Sequence, residues 1–151
     1  MALNKTKIDW PDLDYTWNPV VGCKRNCYYC YAEKLHNKRY TAYLKGRLQN
    51  CKQYTKPFNE MQFIPERLKV KMPRKPSKIF IGSMSDICYW EPVWICAVLS
   101  MVENNPQHKY MFLTKTSKIY NYYRWPKNCQ LGITVTNEGD YYNKEIGRAH
   151  V

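Results

Sequence analysis

The sequence has little of what marks a secreted or membrane protein. Its longest apolar run, residues 93–102, is interrupted by Ser100 and is too short to cross a bilayer. Met1 is followed by a polar, charged segment, so no signal peptide is predicted. We therefore expect a cytoplasmic protein that does not enter a membrane. In that compartment thiols stay reduced, and grouped cysteines more often bind metal or do redox chemistry than form disulfides.

Acidic residues are also scarce, with 12 Asp and Glu against 24 Lys and Arg. The imbalance is concentrated in residues 31–80, which hold 13 of the basic residues but 3 of the acidic ones, a net charge of +10. Such an excess favours a polyanionic partner such as nucleic acid. The simpler interpretation is a solvated face that keeps the protein soluble, because no recognised nucleic-acid-binding module is present.

Several common enzymatic fingerprints are missing as well. There is no P-loop, no dinucleotide-binding fingerprint and no Ser-His-Asp order, and the three histidines show no pairing. The segment that remains to be explained is CKRNCYYC, in which Cys23, Cys27 and Cys30 are spaced as C-x-x-x-C-x-x-C. The other four cysteines have the scattered distribution of buried structural thiols.

The three clustered thiols allow several interpretations. Structural zinc needs four protein ligands, and the candidates for the fourth, His36 and Cys51, lie at no usual spacing. A redox pair of Cys27 and Cys30 would leave Cys23 without a role. An iron–sulfur cluster uses thiolate ligands, and three thiolates would leave one iron open to another molecule.

The remaining pattern predicts an α/β fold with a parallel sheet, because strands alternate with helices. Right-handed crossovers would then bring the carboxyl ends of the strands, and the loops that follow them, to one rim. We expect the cysteine loop, Ser83 to Asp86, Lys115 and Asn137 at that rim. Strands are predicted at residues 16–22, 61–64, 78–83, 110–114 and 131–135, and helices at 31–49, after Pro65, at 92–103 and at 117–123. In the helix over 31–49, the apolar residues that fall near one face are Ala32, Leu35, Tyr43, Leu44 and Leu48.

The cysteine spacing, with the aromatic Tyr29 directly before the last Cys, resembles the signature of the radical SAM superfamily. The segments TWNPVVGC, CYYCYAEKL, PERL, KIFIGSMSD, FLTK and LGITVTNE are also similar to a bacteriophage-associated family of radical-SAM-like proteins of unknown function. Phage members carry labels such as gene product thirty-seven or sixty-eight. The similarity runs from about residue 8 to about residue 138, nearly the whole chain.

This resemblance implies a partial (β/α) barrel with a [4Fe–4S] cluster on Cys23, Cys27 and Cys30. The open iron would bind S-adenosylmethionine (SAM), and reduction by an electron donor would yield a 5′-deoxyadenosyl radical that attacks an unknown substrate. Tyr29 would pack beside the adenine or the cluster. The alternative function is a non-enzymatic, zinc-dependent nucleic-acid-binding protein.

One departure from the superfamily concerns cofactor binding. The Gly-Gly-Glu stretch that many members carry is absent, and the nearest analogue is Ser83, Ser85 and Asp86, which could hydrogen-bond an ammonium or a ribose. The competing interpretation is that Ser85 or Asp86 caps the next turn or helix. Asn137 is a further candidate for ribose contact, although a plain helix start would also explain it.

The last six residues, IGRAHV, match the translation of a common sequencing adapter. We therefore expect one domain over residues 1–145, with residues 146–151 not native. Members of the resembling family continue for several strands more, so a barrel truncated at its C-terminus is predicted.

Overall fold

A computed structural model describes residues 3–5, 12–24, 30–47 and 54–134. Its centre is a five-stranded mixed sheet, and a separate two-stranded antiparallel pair lies beside it. The sheet order is β1-β2-β5-β6-β7, in which β1 is antiparallel to β2 and the other neighbours are parallel. The strands are β1 Leu3–Lys5, β2 Tyr15–Trp17, β3 Val20–Val21, β4 Gln62–Phe63, β5 Lys78–Ile81, β6 Lys109–Thr114 and β7 Cys129–Ile133.

Within the described ranges, two α-helices and three short 3₁₀ helices connect the strands. The first α-helix follows the cysteine loop, and the second links the two central parallel strands. The α-helices are α1 Tyr31–Leu44 and α2 Pro92–Asn104, and the 3₁₀ helices are Pro65–Lys69, Ile87–Tyr89 and Ser117–Asn121. Among the described residues, no helix is long and apolar enough to cross a membrane.

The main core lies between the sheet and α2. β5 and β6 are central strands with almost continuous apolar sequence, as expected for strands of a parallel sheet that is covered on both faces. Pro92 occupies the first turn of α2, where its missing N–H is not needed. The helix buries Ile95, Val98, Leu99 and Val102 against the same cluster as Trp17 and Phe112.

These elements confirm the predicted α/β class and the parallel sheet, while the closure of the strands into a partial barrel stays a prediction. The predicted strand at residues 16–22 is two strands, because the chain leaves the sheet at Asn18 and Pro19 and then pairs β3 with β4. The antiparallel edge strand β1 was not predicted, since three residues are too few to show alternation.

The helix predicted over residues 31–49 is shorter and faces differently. It ends at Leu44, and Gly46 adopts a positive φ of 81° in the turn that follows. The predicted apolar face included Leu44, yet that side chain is 65% exposed. The buried positions are Ala32 and His36, so the prediction was wrong for Leu44, and it missed a buried polar residue.

Candidate functional site

The parallel strands β2, β5 and β6 all end at one rim of the sheet, and polar residues follow each of them. Asn18 follows β2, the segment from Gly82 to Asp86 follows β5, and Lys115 follows β6. Because the strands are parallel and in register, these segments are neighbours. The predicted grouping of Ser83, Ser85 and Asp86 with Lys115 at one rim is therefore confirmed.

Asn18 ties the first two of these segments together. Its side-chain amide is buried, and the Ser83 hydroxyl oxygen lies 3.0 Å from its Nδ2 and 3.1 Å from its Oδ1. The same Oδ1 accepts the Met84 N–H at 3.0 Å. The Ser83 hydroxyl can therefore donate to Asn18 and accept from it, which leaves one lone pair for a further donor. The sequence does not reveal these partners, because they lie 65 and 66 positions from Asn18 along the chain.

Ser85 lies one turn further along the rim. The Gly82 carbonyl accepts the Ser85 N–H at 3.3 Å, and Gly82 itself has a φ of +88°, which favours glycine. The Ser85 hydroxyl accepts the indole N–H of the buried Trp90 at 2.9 Å. Its own O–H can still donate, so Ser85 can serve both the fold and a ligand.

Asp86 is occupied by structural contacts. Its Oδ1 caps the next 3₁₀ helix by accepting the Cys88 N–H at 3.1 Å, and it also accepts the Thr114 hydroxyl at 2.5 Å. Its Oδ2 accepts the Lys115 backbone N–H at 3.0 Å. The capping interpretation is thus confirmed, and Asp86 joins the ends of β5 and β6. A role in cofactor binding stays a prediction.

Tyr120 lies beneath that carboxylate and completes the link to β7. Burial, and next the charge of Asp86, raise the pKa of the Tyr120 phenol, so it stays protonated. It donates to the Gly132 carbonyl at 2.6 Å, and the Phe112 carbonyl is 3.2 Å away. Hydrogen bonds therefore join the carboxyl ends of four neighbouring strands, β2, β5, β6 and β7, at this rim.

The cysteine loop begins beside this rim. The Gly22 N–H donates to the Met84 carbonyl at 3.1 Å, and the N–H of the buried Cys23 donates to Phe58 at 3.0 Å. Gly22 has a φ of +95°, and a Cβ there would lie 2.7 Å from the Phe58 carbonyl oxygen. Only glycine fits this position, which fixes where Cys23 leaves the strand.

The loop ends at Cys30, the residue that caps α1. Its Sγ accepts the Glu33 N–H at 3.4 Å, in the place that a Ser or Asp oxygen usually takes. The sulfur thus lies at a helix N-terminus, where the exposed N–H groups favour negative charge. Tyr31 follows, and its hydroxyl donates to the Ser83 carbonyl at 3.3 Å. Both ends of the cysteine loop are therefore anchored to the segment after β5.

The middle of the loop, residues 25–29, lies outside the described residues, and so do the candidates Cys27, Tyr29, Cys51 and Asn137. In the part of the chain that the structure describes, no group of three or more His, Cys, Asp or Glu side chains could hold a metal ion. The described residues include Cys23 and Cys30 but not Cys27, the third cysteine of the motif. The predicted ligand set stays a prediction.

Residues 5–147 match the model of a family described as Protein of unknown function (DUF5131). The chain belongs to the DUF5131 family. No curated protein and no solved structure matches it. The match spans the cysteine motif and every parallel strand, so the loop and the rim described above are features of a DUF5131 domain.

A pocket of about 430 Å³ opens beside the first cysteine of this DUF5131 chain. Polar and charged side chains from the start of α1 and from residues 57–59 dominate its wall. It is lined by Cys23, Lys24, Glu33, Asn37, Pro57, Phe58 and Asn59. No sequence pattern indicated this pocket, because its walls on α1 and on residues 57–59 are at least 20 positions apart along the chain.

His36 lies behind that pocket wall and is fully buried. Its Nε2 donates to the Lys56 carbonyl at 2.8 Å, and its ring packs edge-on against Tyr54 and Phe58. Burial lowers the pKa of His36, and the nearby Arg39 lowers it further, so the ring is neutral. Its Nδ1 is buried and has no hydrogen-bond partner among the described residues.

Proposed function

We propose that this DUF5131 chain is an iron–sulfur protein of the radical SAM type. One observation carries the proposal. Cys23 and Cys30 lie at the two ends of a single loop between β3 and α1, and both ends of that loop are hydrogen-bonded to the rim segment after β5. The C-x-x-x-C-x-x-C spacing would bring a third thiol, Cys27, between them. Loops at such a rim are where α/β folds hold their ligands.

The residues present suit a [4Fe–4S] cluster. Cys23 lies among apolar side chains, and the sulfur of Cys30 already accepts a backbone N–H, the kind of contact that adjusts the potential of thiolate-bound clusters. Such a cluster, when bound and reduced by an electron donor, supplies the single electron that cleaves SAM to methionine and a 5′-deoxyadenosyl radical. The cytoplasm would keep the thiols reduced. If the chain is phage-encoded, this would be the cytoplasm of a bacterial host.

The chain's own residues would bind and orient SAM. The free lone pair of Ser83 and the O–H of Ser85 point to the ammonium group or a ribose hydroxyl as partners. Tyr29 would pack against the adenine or the cluster, and Asn137 would contact the ribose. Asp86 would act by fixing the rim, since three of its acceptor sites are filled.

The test is product formation. The anaerobically reconstituted chain, reduced with dithionite in the presence of SAM, is expected to release 5′-deoxyadenosine. Replacing Cys23, Cys27 or Cys30 by Ala should abolish the product, whereas the exposed Cys96→Ala, on α2, should behave as the unchanged protein. Iron-loaded protein that binds SAM and still gives no 5′-deoxyadenosine on reduction would refute the proposal.

A second candidate is a zinc-dependent nucleic-acid-binding protein without enzymatic activity. The observation that favours it concerns His36, whose Nε2 donates to a carbonyl while its Nδ1 has no partner among the described residues. Metal-bound histidines usually donate one ring N–H to a carbonyl and offer the other nitrogen to the metal. Zinc at about one per chain, no sulfide, and loss of the zinc in His36→Ala or Cys51→Ala would support it. Metal content that neither substitution changes would exclude it.

A further inference from the structure

One side of α1, continued by its C-cap residue Lys45, carries a row of exposed residues. Tyr31, Lys34, Lys38, Thr41 and Lys45 recur every three to four residues and fall within about 80° of each other around a helix of 3.6 residues per turn. All five are exposed. They lie opposite Ala32 and His36, the buried positions of the helix. We call these five residues the basic face.

The other two charged side chains of α1, Arg39 and Glu33, do not lie on the basic face. The guanidinium of Arg39 lies 4.9 Å from the centre of the Tyr54 ring and also donates to that hydroxyl. Glu33, the one acidic residue of the helix, is half-buried and lines the pocket beside Cys23. The helix's own carboxylate therefore does not lie on the basic face, whose three lysines give it a uniform positive charge.

The basic face begins at the cysteine loop. Tyr31 directly follows Cys30, and its hydroxyl reaches the Ser83 carbonyl at the sheet rim. Its residue surface is still 59% exposed. An exposed aromatic ring at the end of a row of lysines is the combination that holds single-stranded nucleic acid, because lysines bind phosphates and the ring stacks on a base. An acidic protein partner would explain the lysines but not the ring.

We propose that the basic face of α1 binds single-stranded nucleic acid, with phosphates on Lys34, Lys38 and Lys45 and a base stacked on Tyr31. That base would lie beside the cysteine loop and the rim. If the bound strand is also the substrate of the radical chemistry, this inference rests on the proposed function. A single strand suits that role, because enzymes that modify a base need it outside the duplex stack. The binding itself depends on α1 alone.

The test uses the full reconstituted chain and a fluorescein-labelled single strand of about 16 nucleotides, followed by anisotropy from about 50 to about 200 mM salt. Neutralising Lys34, Lys38 and Lys45 together with Gln should weaken binding and reduce the slope of log K against log salt by about 2. The matched control replaces Lys69, Lys71 and Lys75, which are equally exposed and lie in the same basic segment. It should retain most of the affinity.

Tyr31 provides the second part of the test. Tyr31→Ala should weaken binding about tenfold at every salt concentration, because a stacking contact is lost, while Tyr31→Phe should retain the affinity. Equal losses in the two lysine triples, or equal affinity for Tyr31→Ala and Tyr31→Phe, would overturn the proposal.

Failure of the proposed function has a different signature. Salt-dependent binding through the basic face in a protein that yields no 5′-deoxyadenosine would support the nucleic-acid site and refute the radical chemistry. Production of 5′-deoxyadenosine in a protein that does not bind the strand would support the radical chemistry and refute the nucleic-acid site. A strand that binds only when the control lysines are intact would also refute the proposed site.

Discussion

The two α-helices have nearly the same length, but the structure holds them in very different ways. α2 buries four large aliphatic side chains in a cluster of fifteen buried residues, counted over the described part of the chain. α1 buries only Ala32 and His36, beside a smaller cluster of six described residues that includes Cys23. Since each buried Val, Leu or Ile contributes about 1.5–3 kcal/mol, the attachment of α2 is stronger by several kcal/mol.

The contrast divides the described chain into two halves that are held by different contacts. The sheet half, which consists of β5 to β7 and α2, is held mainly by buried apolar side chains. The cysteine half, α1 with residues 54–60, is held by a few polar contacts, among them the Cys30 cap and the bond from His36 to Lys56. A bound metal cluster would add folding free energy in that half.

The largest expected difference comes from one matched pair of substitutions. Phe112→Ala, in the sheet half, should lower the free energy of unfolding by about 4 kcal/mol, because the ring is buried and packs against Trp125. Phe58→Ala, in the cysteine half, should cost about half as much in metal-free protein, since Phe58 packs in a cluster of six described residues and Phe112 in one of fifteen. Urea denaturation measures both, and equal losses would contradict the division into two halves.

Gly22 provides a sharper test within the cysteine half. Gly22→Ala combines a positive φ with a 2.7 Å approach of the new Cβ to the Phe58 carbonyl, so we expect a loss of about 3 kcal/mol. Gly46→Ala is the control, because its φ of 81° lies in an exposed turn, and it should cost about 1 kcal/mol. Thermal unfolding of the two variants gives the comparison, which fails if Gly46→Ala is the more damaging.

The two buried histidines should make both halves sensitive to acid. Burial lowers the pKa of His36 and of His108 below the usual value of 6.5, so the folded state favours the neutral rings. Their contribution to stability is therefore complete above about pH 6.5 and is lost as the pH falls below it, by at most about 1.4 kcal/mol per pH unit for each ring.

Urea midpoints between pH 7.5 and 5.5 measure this loss, at values chosen roughly to bracket the ordinary histidine pKa. His36→Gln and His108→Gln should each remove part of the pH dependence. Hydrogen exchange should assign the part lost in His36→Gln to α1 and the part lost in His108→Gln to the sheet. A profile that neither substitution alters would show that other groups cause the acid sensitivity.

The smallest expected effect separates two roles of Cys30. In metal-free protein Cys30→Ala should cost about 1 kcal/mol by removing the cap of α1, whereas Cys30→Ser should cost nothing, because a hydroxyl caps a helix well. Both variants should also prevent binding of the proposed iron–sulfur cluster. Helix content by circular dichroism and metal analysis provide the two readings. Retention of the full metal content in Cys30→Ala would remove Cys30 from the ligand set.

The sequence predicted the sheet half better than the cysteine half, and the reason is physical. The apolar runs of β5, β6 and α2 are long enough to show their periodicity, and their predicted bounds differ from the observed ones by at most two residues. The face predicted for α1 was right at Ala32 and wrong at Leu44, and it missed the buried His36, because most of this helix is solvated.

Within the candidate site, local spacing predicts the cysteine loop, and the position after a strand predicts the rim serines as the analogue of a Gly-Gly-Glu stretch; their roles in cofactor binding stay predictions. Local spacing could not identify the contacts of Asn18 with Ser83 or of Tyr31 with the Ser83 carbonyl, which join residues 65 and 52 positions apart. The pocket beside Cys23 and the burial of His36 also depend on residues 54–59, whose sequence gives no signal of where they pack.

The most direct test of the account is the iron and sulfide content of the anaerobically reconstituted chain. We predict about four of each per chain, lost when Cys23, Cys27 or Cys30 is replaced by Ala and retained in Cys96→Ala. Protein that takes up no iron, or about one zinc without sulfide, would contradict the account. So would iron and sulfide that survive all three substitutions.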